Sequence, residues 1–502
     1  MNRIYYLATL ALLALASCTN LDEEFRPSNP KKQPSQHSEV QRYQVSLRSA
    51  TYFAQKLQLE DGVSRQIKSI EPVTSGQDTL LYFVNYAKDQ GWVVLSGDKR
   101  TEAILASSTV GSINKDALGG SAVWFDDLAG KIYGIKHSNS KAPQSGDYAM
   151  WCKIDTLTLG LRPERKEARA LQPDGPREED MREPEYMDFL ISAKTEVMVD
   201  KKVGPLIKTK WGQREPWNSC TPFWQDTQKR CPTGCVAVAG AQMLYYFHSL
   251  KNKPRVFFSQ GSCRGWIGGR HSASYSFSFS NPQEDVWDQM ALYKREPQKS
   301  AYPVALLMGF VGSRIDMKYS DKASGADDEK LVRLYRDFFG IRSEYADYKE
   351  ELVRASLDNN LPVNVSAYAE RRRPIEFIGI GWIYDRGHAW IIDGYKDKRI
   401  CYTYTYERRP WRNTGDESYS SVQSDQQSTA RTPRVEPSFK LERPKYEIIE
   451  TSTVSISYFW KMNLGWNGQA DDADYGTWEG EIWDAGGHRF EYKKKIIHNF
   501  SF

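Results

Sequence analysis

Cys235 has the clearest potential for chemistry in this chain, because it follows a glycine and begins an apolar stretch. Val236, Ala239 and Met243 recur near the helical period of 3.6 residues, which predicts a helix starting at the cysteine. The free backbone N–H groups and the dipole at such a helix start lower a thiol pKa and favour a nucleophilic thiolate. A small buried core cysteine would give the same pattern. The prediction of a nucleophile therefore depends on partner residues elsewhere in the chain.

A thiol nucleophile needs a general base, and His388 is the best candidate among the seven histidines. It follows Gly387 and leads into an apolar run that ends at Asp393-Gly394, which is typical of a buried strand entered from a turn. A hydrogen-bonded structural histidine at a strand start would look similar. We therefore predict His388 as the base only in combination with the cysteine.

Two amides complete the candidate site. Asn463 ends an apolar run before Gly465-Trp466, and its side-chain oxygen could accept the imidazole N–H and hold the tautomer. Gln213 follows a Trp-Gly pair, and with the Cys235 N–H it could donate to an oxyanion. Loop amides are usually only solvated. The order Gln213, Cys235, His388, Asn463, each near glycine or tryptophan, favours a cysteine hydrolase over a chance arrangement.

Several segments of the chain resemble the streptopain family of secreted bacterial cysteine proteases. The similar segments are the cysteine helix (234–243), the histidine strand (387–394), the Asn-Leu-Gly-Trp turn (463–468), the Lys-Trp-Gly-Gln segment (210–213) and a propeptide signature (91–100). The resemblance implies an α+β, papain-like fold with a helical half and a β-rich half, preceded by a small α+β prodomain. The chain departs from the family pattern at Leu464, where a tryptophan is usual. Trp466 therefore becomes the candidate for shielding the histidine from water.

The resemblance also implies roles for the candidate residues. Cys235 would attack the peptide bond, His388 would act as general base and then acid, Asn463 would orient His388, and Gln213 would stabilise the oxyanion. The partners would be protein or peptide substrates, with the chain's own prodomain as the inhibitor of a zymogen. No cofactor is expected.

Composition along the chain predicts the domain boundaries. We predict a signal peptide (1–17), a lipidated tether (18–40), a prodomain (41–155), an activation linker (156–202) and a catalytic domain (203–502) with an exposed insertion at about 405–442. Within the prodomain, residues 80–84 and 92–95 predict a strand hairpin, and residues 42–57 predict a helix. The linker contains four prolines among many charges, so we expect it to be mobile and open to proteolysis.

The N-terminus predicts export and lipidation. Arg3 precedes an apolar run (4–15) that ends in Leu15-Ala16-Ser17-Cys18, the pattern of a signal peptide with a lipobox. The run is too short to span a bilayer, which takes about 20 residues. We expect Cys18 to carry lipid and to hold the protein at a bacterial outer membrane or cell surface. Release after processing is an alternative, and the leaflet stays open.

Charge and cysteine spacing limit the other functions. A net charge of +4 over 502 residues gives no argument for a nucleic-acid partner. The spacing of Cys231 and Cys235 would suit half of a zinc site or a disulfide, but no second Cys or His pair completes a metal site, and none is predicted. Two other functions stay open at this point. One is a non-catalytic papain-fold surface protein that binds host proteins or acts as an inhibitor, and the other is amidase or transpeptidase chemistry with the same thiol.

Overall fold

The computed structural model describes residues 42–141, 143, 145–160, 186–224, 227, 229–250, 260–267, 270–278, 286–368, 388–410, 447–469, 471–477, 484–485, 488–489 and 493–502. The predicted signal peptide and tether, including Cys18, lie outside these residues. The helices are α1 (Leu47–Lys56), α2 (Ala122–Lys136), α3 (Gly146–Leu159), α4 (Cys235–Ser249), α5 (Tyr302–Arg314), α6 (Lys330–Phe339) and α7 (Glu350–Asp358). No helix of the described residues is long and apolar enough to cross a membrane.

The strands lie in four sheets. They are β1 (Leu57–Gln58), β2 (Ile67–Ser75), β3 (Asp78–Tyr86), β4 (Trp92–Ser96), β5 (Ile104–Ser108), β6 (Tyr186–Val203), β7 (Phe223–Trp224), β8 (Lys229–Arg230), β9 (Gln260–Ile267), β10 (Arg270–Ser278), β11 (Lys318–Tyr319), β12 (Arg342–Asp347), β13 (Val363–Tyr368), β14 (His388–Pro410), β15 (Glu447–Asn463), β16 (Asp474–Gly476), β17 (Asp484–Ala485), β18 (His488–Arg489) and β19 (Lys493–Ser501). Helices and strands of this kind confirm the predicted α+β class.

The helical half forms around α4, because the start of this helix is set by a glycine. Gly234 has φ +89°, a conformation that L-residues with a side chain rarely adopt, and the helix begins at the next residue. Both faces of α4 are largely buried, and it packs against α5 in one apolar core. Cys235 therefore lies at the end of a helix that tertiary packing holds in place.

One large sheet joins the predicted prodomain to the predicted catalytic domain. The main path runs β12-β19-β13-β14-β15-β16-β5-β4-β3-β2, and β16 meets β5 through the pairs Asp474–Ser107 and Tyr475–Ala106. The predicted hairpin is confirmed as β3 and β4, which pair antiparallel. The helix α2 shares one apolar core with both parts of the sheet. Among the described residues the prodomain therefore shares its apolar cores with the catalytic part.

A long three-stranded extension projects from the catalytic sheet, and we call it the arm: β6, residues 396–410 of β14 and residues 447–459 of β15. β14 pairs with β6 on one side and with β15 on the other. Two domain predictions are corrected by these elements. The linker predicted at 156–202 is an ordered helix up to Leu159 and an ordered strand from Tyr186, because that strand pairs along β14. The insertion predicted at 405–442 begins as strand up to Pro410, and the rest of it lies outside the described residues.

The inner face of the arm is covered by prodomain helices. Val197, Ile400, Tyr402 and Tyr404 point inward and share a third apolar core with α1 and α3. Two of the three apolar cores thus contain residues from both parts of the chain. This packing fixes the prodomain against the catalytic strands.

Candidate active site

Cys235 is half-buried at the first position of α4. Its sulfur lies at the N–H groups of Cys235 and Val236 and also accepts from the backbone N–H of Ala389, and all three contacts favour a thiolate. Burial opposes them and is the larger effect, so the pKa of the Cys235 thiol is raised. In this closed form the cysteine is therefore a thiol at neutral pH.

His388 is the first residue of β14, as the sequence predicted for a strand entered from a turn. Its ring stacks on Trp390 with ring centroids 5.8 Å apart, and only 5% of the residue is exposed. Burial lowers the pKa of the imidazole to about 4, and a hydrogen bond to the Leu464 backbone partly offsets that effect. Because only an acceptor favours the protonated ring, the bond goes to the Leu464 carbonyl. Nε2 is buried without a hydrogen-bond partner among the described residues.

The structure brings Cys235 and His388 together through Ala389. Ala389 follows His388 in β14 and gives its N–H to the Cys235 sulfur. The start of α4 thus faces the start of β14, and the Cys235 sulfur lies at the backbone of the residue next to His388. With a raised thiol pKa and a lowered imidazole pKa, the pair is neutral at pH 7 in this form of the protein.

Asn463 occupies the end of β15, but its hydrogen bonds differ from the prediction. Its Oδ1 accepts from Gln242 Nε2 at 3.0 Å and from the Gly465 N–H at 3.2 Å, and its Nδ2 donates to the Thr209 carbonyl at 2.7 Å. The expected bond from the His388 ring to this amide is therefore replaced by the bond to Leu464. The two acceptor positions of this oxygen are taken by Gln242 of α4 and by the Gly465 N–H.

Gln213 lies beside the turn that carries the nucleophile. Its backbone carbonyl accepts from the Thr233 N–H at 2.9 Å, two residues before Cys235. The neighbouring Gly212 faces Asn467 so closely that a Cβ there would lie 2.6 Å from Asn467 Oδ1. Asn467 in turn donates its N–H to the Trp211 carbonyl at 3.0 Å. The Gln213 segment is thus held between the cysteine turn and the 463–468 turn.

Trp466 lies in that second turn, beside the prodomain. A Cβ added at Gly120 would be 2.6 Å from Trp466 Nε1 and 2.8 Å from His388 Nε2. A Cβ added at Gly119, which has φ +58°, would lie 3.3 Å from the same indole. The indole and the imidazole therefore share one contact point on the prodomain, and this point has no side chain.

The segment that covers the site was not predicted from the sequence. Residues 119–121 form a single 3-10 turn before α2, and its backbone lies over His388 and Trp466. The adjacent glycines at 119 and 120 were the available signal, because paired glycines often mark a close backbone approach. Gln242 was also not predicted as a site residue. The available signal was a single amide within the apolar run of α4, about two helical turns after Cys235.

The other cysteines do not change this site. Cys231 and Cys235 are both free thiols, so the structure does not contain the alternative disulfide. Burial raises the pKa of Cys231 to about 11, which keeps it protonated and unreactive. Among the described residues there is no cluster of three His, Cys, Asp or Glu side chains that could hold a metal ion.

Comparison with known proteins adds to this geometry. Residues 211–428 match the Peptidase C10 family, and residues 39–132 match the Spi protease inhibitor family. Streptopain of Streptococcus pyogenes is 21% identical over 406 residues, which cover 78% of this chain and 85% of streptopain. Among solved structures, prointerpain A of Prevotella intermedia aligns over 86% of this chain and 98% of its own at 17% identity and a TM-score of 0.47. Active interpain A aligns over 60% of this chain and 95% of its own at 21% identity and a TM-score of 0.35.

The two family matches follow the chain in the order that the resemblance predicted. The inhibitor match contains the Gly119-Gly120 turn, and the peptidase match contains Cys235 and His388. They support a cysteine peptidase with an inhibitory propeptide and a papain-like fold. The catalytic segment is thus similar to the Peptidase C10 family and the N-terminal segment to the Spi inhibitor family, and the two matches support a cysteine peptidase made as a zymogen with a propeptide inhibitor domain.

Proposed function

We propose that this zymogen is an exported, lipid-anchored endopeptidase in which Cys235 and His388 form the catalytic pair. One observation carries the assignment of the pair: the Cys235 sulfur, at the start of α4, accepts the N–H of the residue next to His388. A thiol at a helix start beside an imidazole is the arrangement that nucleophilic cysteine catalysis requires.

In the proposed reaction, the Cys235 sulfur attacks the scissile carbonyl carbon and His388 takes the thiol proton. The imidazolium then gives this proton to the leaving amine, and water hydrolyses the acyl-enzyme with His388 again as base. The Cys235 N–H and the Gln213 side chain donate to the oxyanion. Trp466 covers the imidazole and limits its contact with water.

The propeptide holds the pair inactive in two ways. The turn at residues 119–121 occupies the space above His388 and Trp466, where a substrate would lie. The same cover excludes water, which keeps the imidazole and the thiol in their neutral forms. Activation therefore requires the turn to leave, and residues 161–185 are the proposed place for the first cut.

The anchor rests on the sequence of residues 1–18 alone. The lipobox cysteine, Cys18, would receive the lipid, and the polar residues after it would connect the enzyme to a bacterial outer membrane. Replacing Cys18 by Ser in the full chain should move the protein from the membrane fraction to the soluble fraction and abolish labelling by radioactive palmitate. Unchanged labelling of the C18S protein would refute this part of the proposal.

The catalytic assignment is tested with residues 19–502 as wild type, Cys235→Ala and the control Cys401→Ala. Cys401 lies in the arm and should be dispensable. We expect the wild type and C401A to lose the propeptide with time and to cleave casein, with inhibition by a thiol-directed epoxide. C235A should stay intact and inactive, even after trimming by an added protease. Casein cleavage by C235A would refute the role of Cys235.

A further inference from the structure

Asp471 contacts the same residue that holds the catalytic imidazole. The Leu464 N–H donates to Asp471 Oδ1 at 3.1 Å, while the Leu464 carbonyl accepts from the His388 ring. We propose that Asp471 is a positioning residue for His388 and acts through the Leu464 backbone. The inference rests on the proposed role of His388.

The two peptide planes that flank Leu464 are fixed by different side chains. The plane before it carries the Leu464 N–H, which Asp471 holds. The plane after it carries the Leu464 carbonyl and the Gly465 N–H, and this N–H donates to Asn463 Oδ1 at 3.2 Å. Together the two bonds fix both backbone dihedrals of Leu464, so the carbonyl oxygen is aimed at the ring before any substrate binds.

The turn between Leu464 and Asp471 is held by its own contacts. Gln469 donates its N–H to the Trp466 carbonyl at 3.1 Å, and the Asp471 N–H contacts the Gly468 carbonyl at 3.4 Å. Asn467 ties the turn to the Trp211 carbonyl. The chain is thus led back so that the Asp471 carboxyl group meets the Leu464 N–H.

The burial of Asp471 is costly, which argues against a role in chain packing alone. Its Oδ2 is buried and has no hydrogen-bond partner among the described residues. The charged groups around it are the carboxylates of Asp393 and Asp472 and the ammonium of Lys210, and burial raises the pKa of Asp471 to about 8. Near neutral pH the carboxyl group is therefore largely protonated and still accepts the Leu464 N–H through Oδ1. An asparagine would present the same acceptor.

The test uses the activated enzyme with Asp471→Ala, Asp471→Ser, Asp471→Asn and, as a matched control, Asp472→Asn. Asp472 is the exposed neighbour, with 66% of its side chain accessible. On a short peptide substrate, the Ala and Ser variants should lose about 10- to 100-fold in kcat with little change in KM. D471N should stay within about threefold of the wild type because it keeps the acceptor, and D472N should be unchanged.

The pH profile separates positioning from stability. The hydrogen bond from the His388 ring to the Leu464 carbonyl favours the imidazolium. Without the Asp471 bond to the Leu464 N–H, D471A and D471S should weaken it. The alkaline limb of kcat/KM should then move to lower pH by about half a unit or more. An unshifted limb, or equal losses in D471N and D471A, would overturn the proposal. Because the wild type in the same assay must be blocked by a thiol-directed epoxide, failure of the proposed Cys235 function would be seen separately.

Discussion

Two of the regions in which the propeptide contacts the catalytic part differ in chemistry. At the active site it presents backbone, with Gly119 and Gly120 lying against Trp466 and His388. At the arm it presents a packed helix, α3, which meets arm side chains through apolar, aromatic and charged contacts. Because the free energy of burial grows with apolar area, the arm contact contributes to binding, while the glycine contact supplies the block.

Polar contacts reinforce the arm side of this comparison. Lys153 donates to the Tyr406 hydroxyl at 2.7 Å, and Ser455 donates to Asp147 at 3.0 Å. A cluster of charges lies nearby, where the buried carboxylate of Asp474 in β16 is within 3.1 Å of the ammonium groups of Lys396, Lys398 and Lys461. Lys396 and Lys398 also pair with Glu60 of the propeptide. At the active site, by contrast, His388 Nε2 and Trp466 Nε1 stay without hydrogen-bond partners among the described residues.

The difference teaches how this zymogen can be both tightly closed and readily activated. The backbone turn forms no hydrogen bond with His388 Nε2 or Trp466 Nε1, so its departure disrupts only close packing at these two atoms. The cohesion lies at a distance, where it does not distort the catalytic residues. A weakened arm contact should therefore open the site, and a weakened site contact should leave the propeptide attached.

Trp151→Ala should give the largest effect, because this side chain is fully buried in the core that α1, α3 and the arm share. It packs on Phe53 with ring centroids 5.1 Å apart. Truncating a buried tryptophan costs about 3 to 5 kcal/mol. In a C235A background, thermal melting should show this loss, and in the active background self-processing should be faster than in the wild type.

Cys152→Ala is the matched control for this change, because Cys152 is the exposed neighbour in α3. It should change neither the melting temperature nor the rate of processing. If W151A lowered stability but left processing at the wild-type rate, the arm would not be what keeps the site closed.

The next prediction concerns how pH changes the stability of the contact between the propeptide turn and His388. The pKa of His388 is lowered to about 4 while the propeptide covers it, against about 6.5 for an imidazole in water. Above pH 6.5 both forms are neutral and the shift has no consequence. As the pH falls from 6.5 to 4, the His388 imidazole binds a proton in the uncovered form but stays neutral in the covered form. This difference favours opening by up to about 3 kcal/mol.

NMR titration of the histidine ring checks this in the uncleaved C235A protein, with the assignment made by His388→Gln. We expect the His388 signal to titrate near pH 4 before the propeptide is removed and closer to its ordinary value afterwards. A value near 6.5 in the uncleaved protein would show that the turn does not exclude water from the ring.

The sequence predicted the residues of the site better than their connections. The helix start at Cys235 was predictable because Gly234 and a local apolar period set it, and the strand at His388 was predictable from the apolar run that follows the histidine. The partner of the His388 ring was not predictable. This partner is the Leu464 backbone, while Gln242 of α4 donates to the Asn463 amide oxygen through a tertiary contact on which local patterns carry no information.

The arm shows the same limit on the scale of the fold. The prolines and charges of residues 163–185 suggested one long mobile linker, although Ala193, Thr195 and Val197 alternate with Lys194 and Glu196 in the period of a strand. That alternation was the missed signal. The pairing of this strand with β14 joins residues about 200 positions apart, and only the folded chain reveals it.

Gly120→Ala should have a smaller effect than W151A and should act at the site only. The added Cβ would lie 2.5 Å from Trp466 Cδ1 and 2.8 Å from His388 Nε2, so the turn must move away, at a cost of about 2 kcal/mol. We expect Cys235 of the uncleaved protein to react faster with an epoxide inhibitor while the propeptide stays bound. Gly62→Ala, at a propeptide glycine with φ +69° and open space around it, is the control for backbone strain without a clash and should leave the labelling rate unchanged.

Glu60→Gln should have the smallest effect, and it tests the arm side without touching an apolar core. Glu60 pairs with Lys396 at 2.5 Å and Lys398 at 3.0 Å, but both lysines keep Asp474 as a partner. The Glu60 side chain is also 22% exposed, so water and salt screen the pair, and we expect a loss of about 1 kcal/mol. In low salt, E60Q should slightly lower the melting temperature of the C235A zymogen. This difference in melting temperature should shrink as salt is added. A difference that is independent of salt would mean that Glu60 contributes through packing, and the charged cluster would then not help to hold the propeptide.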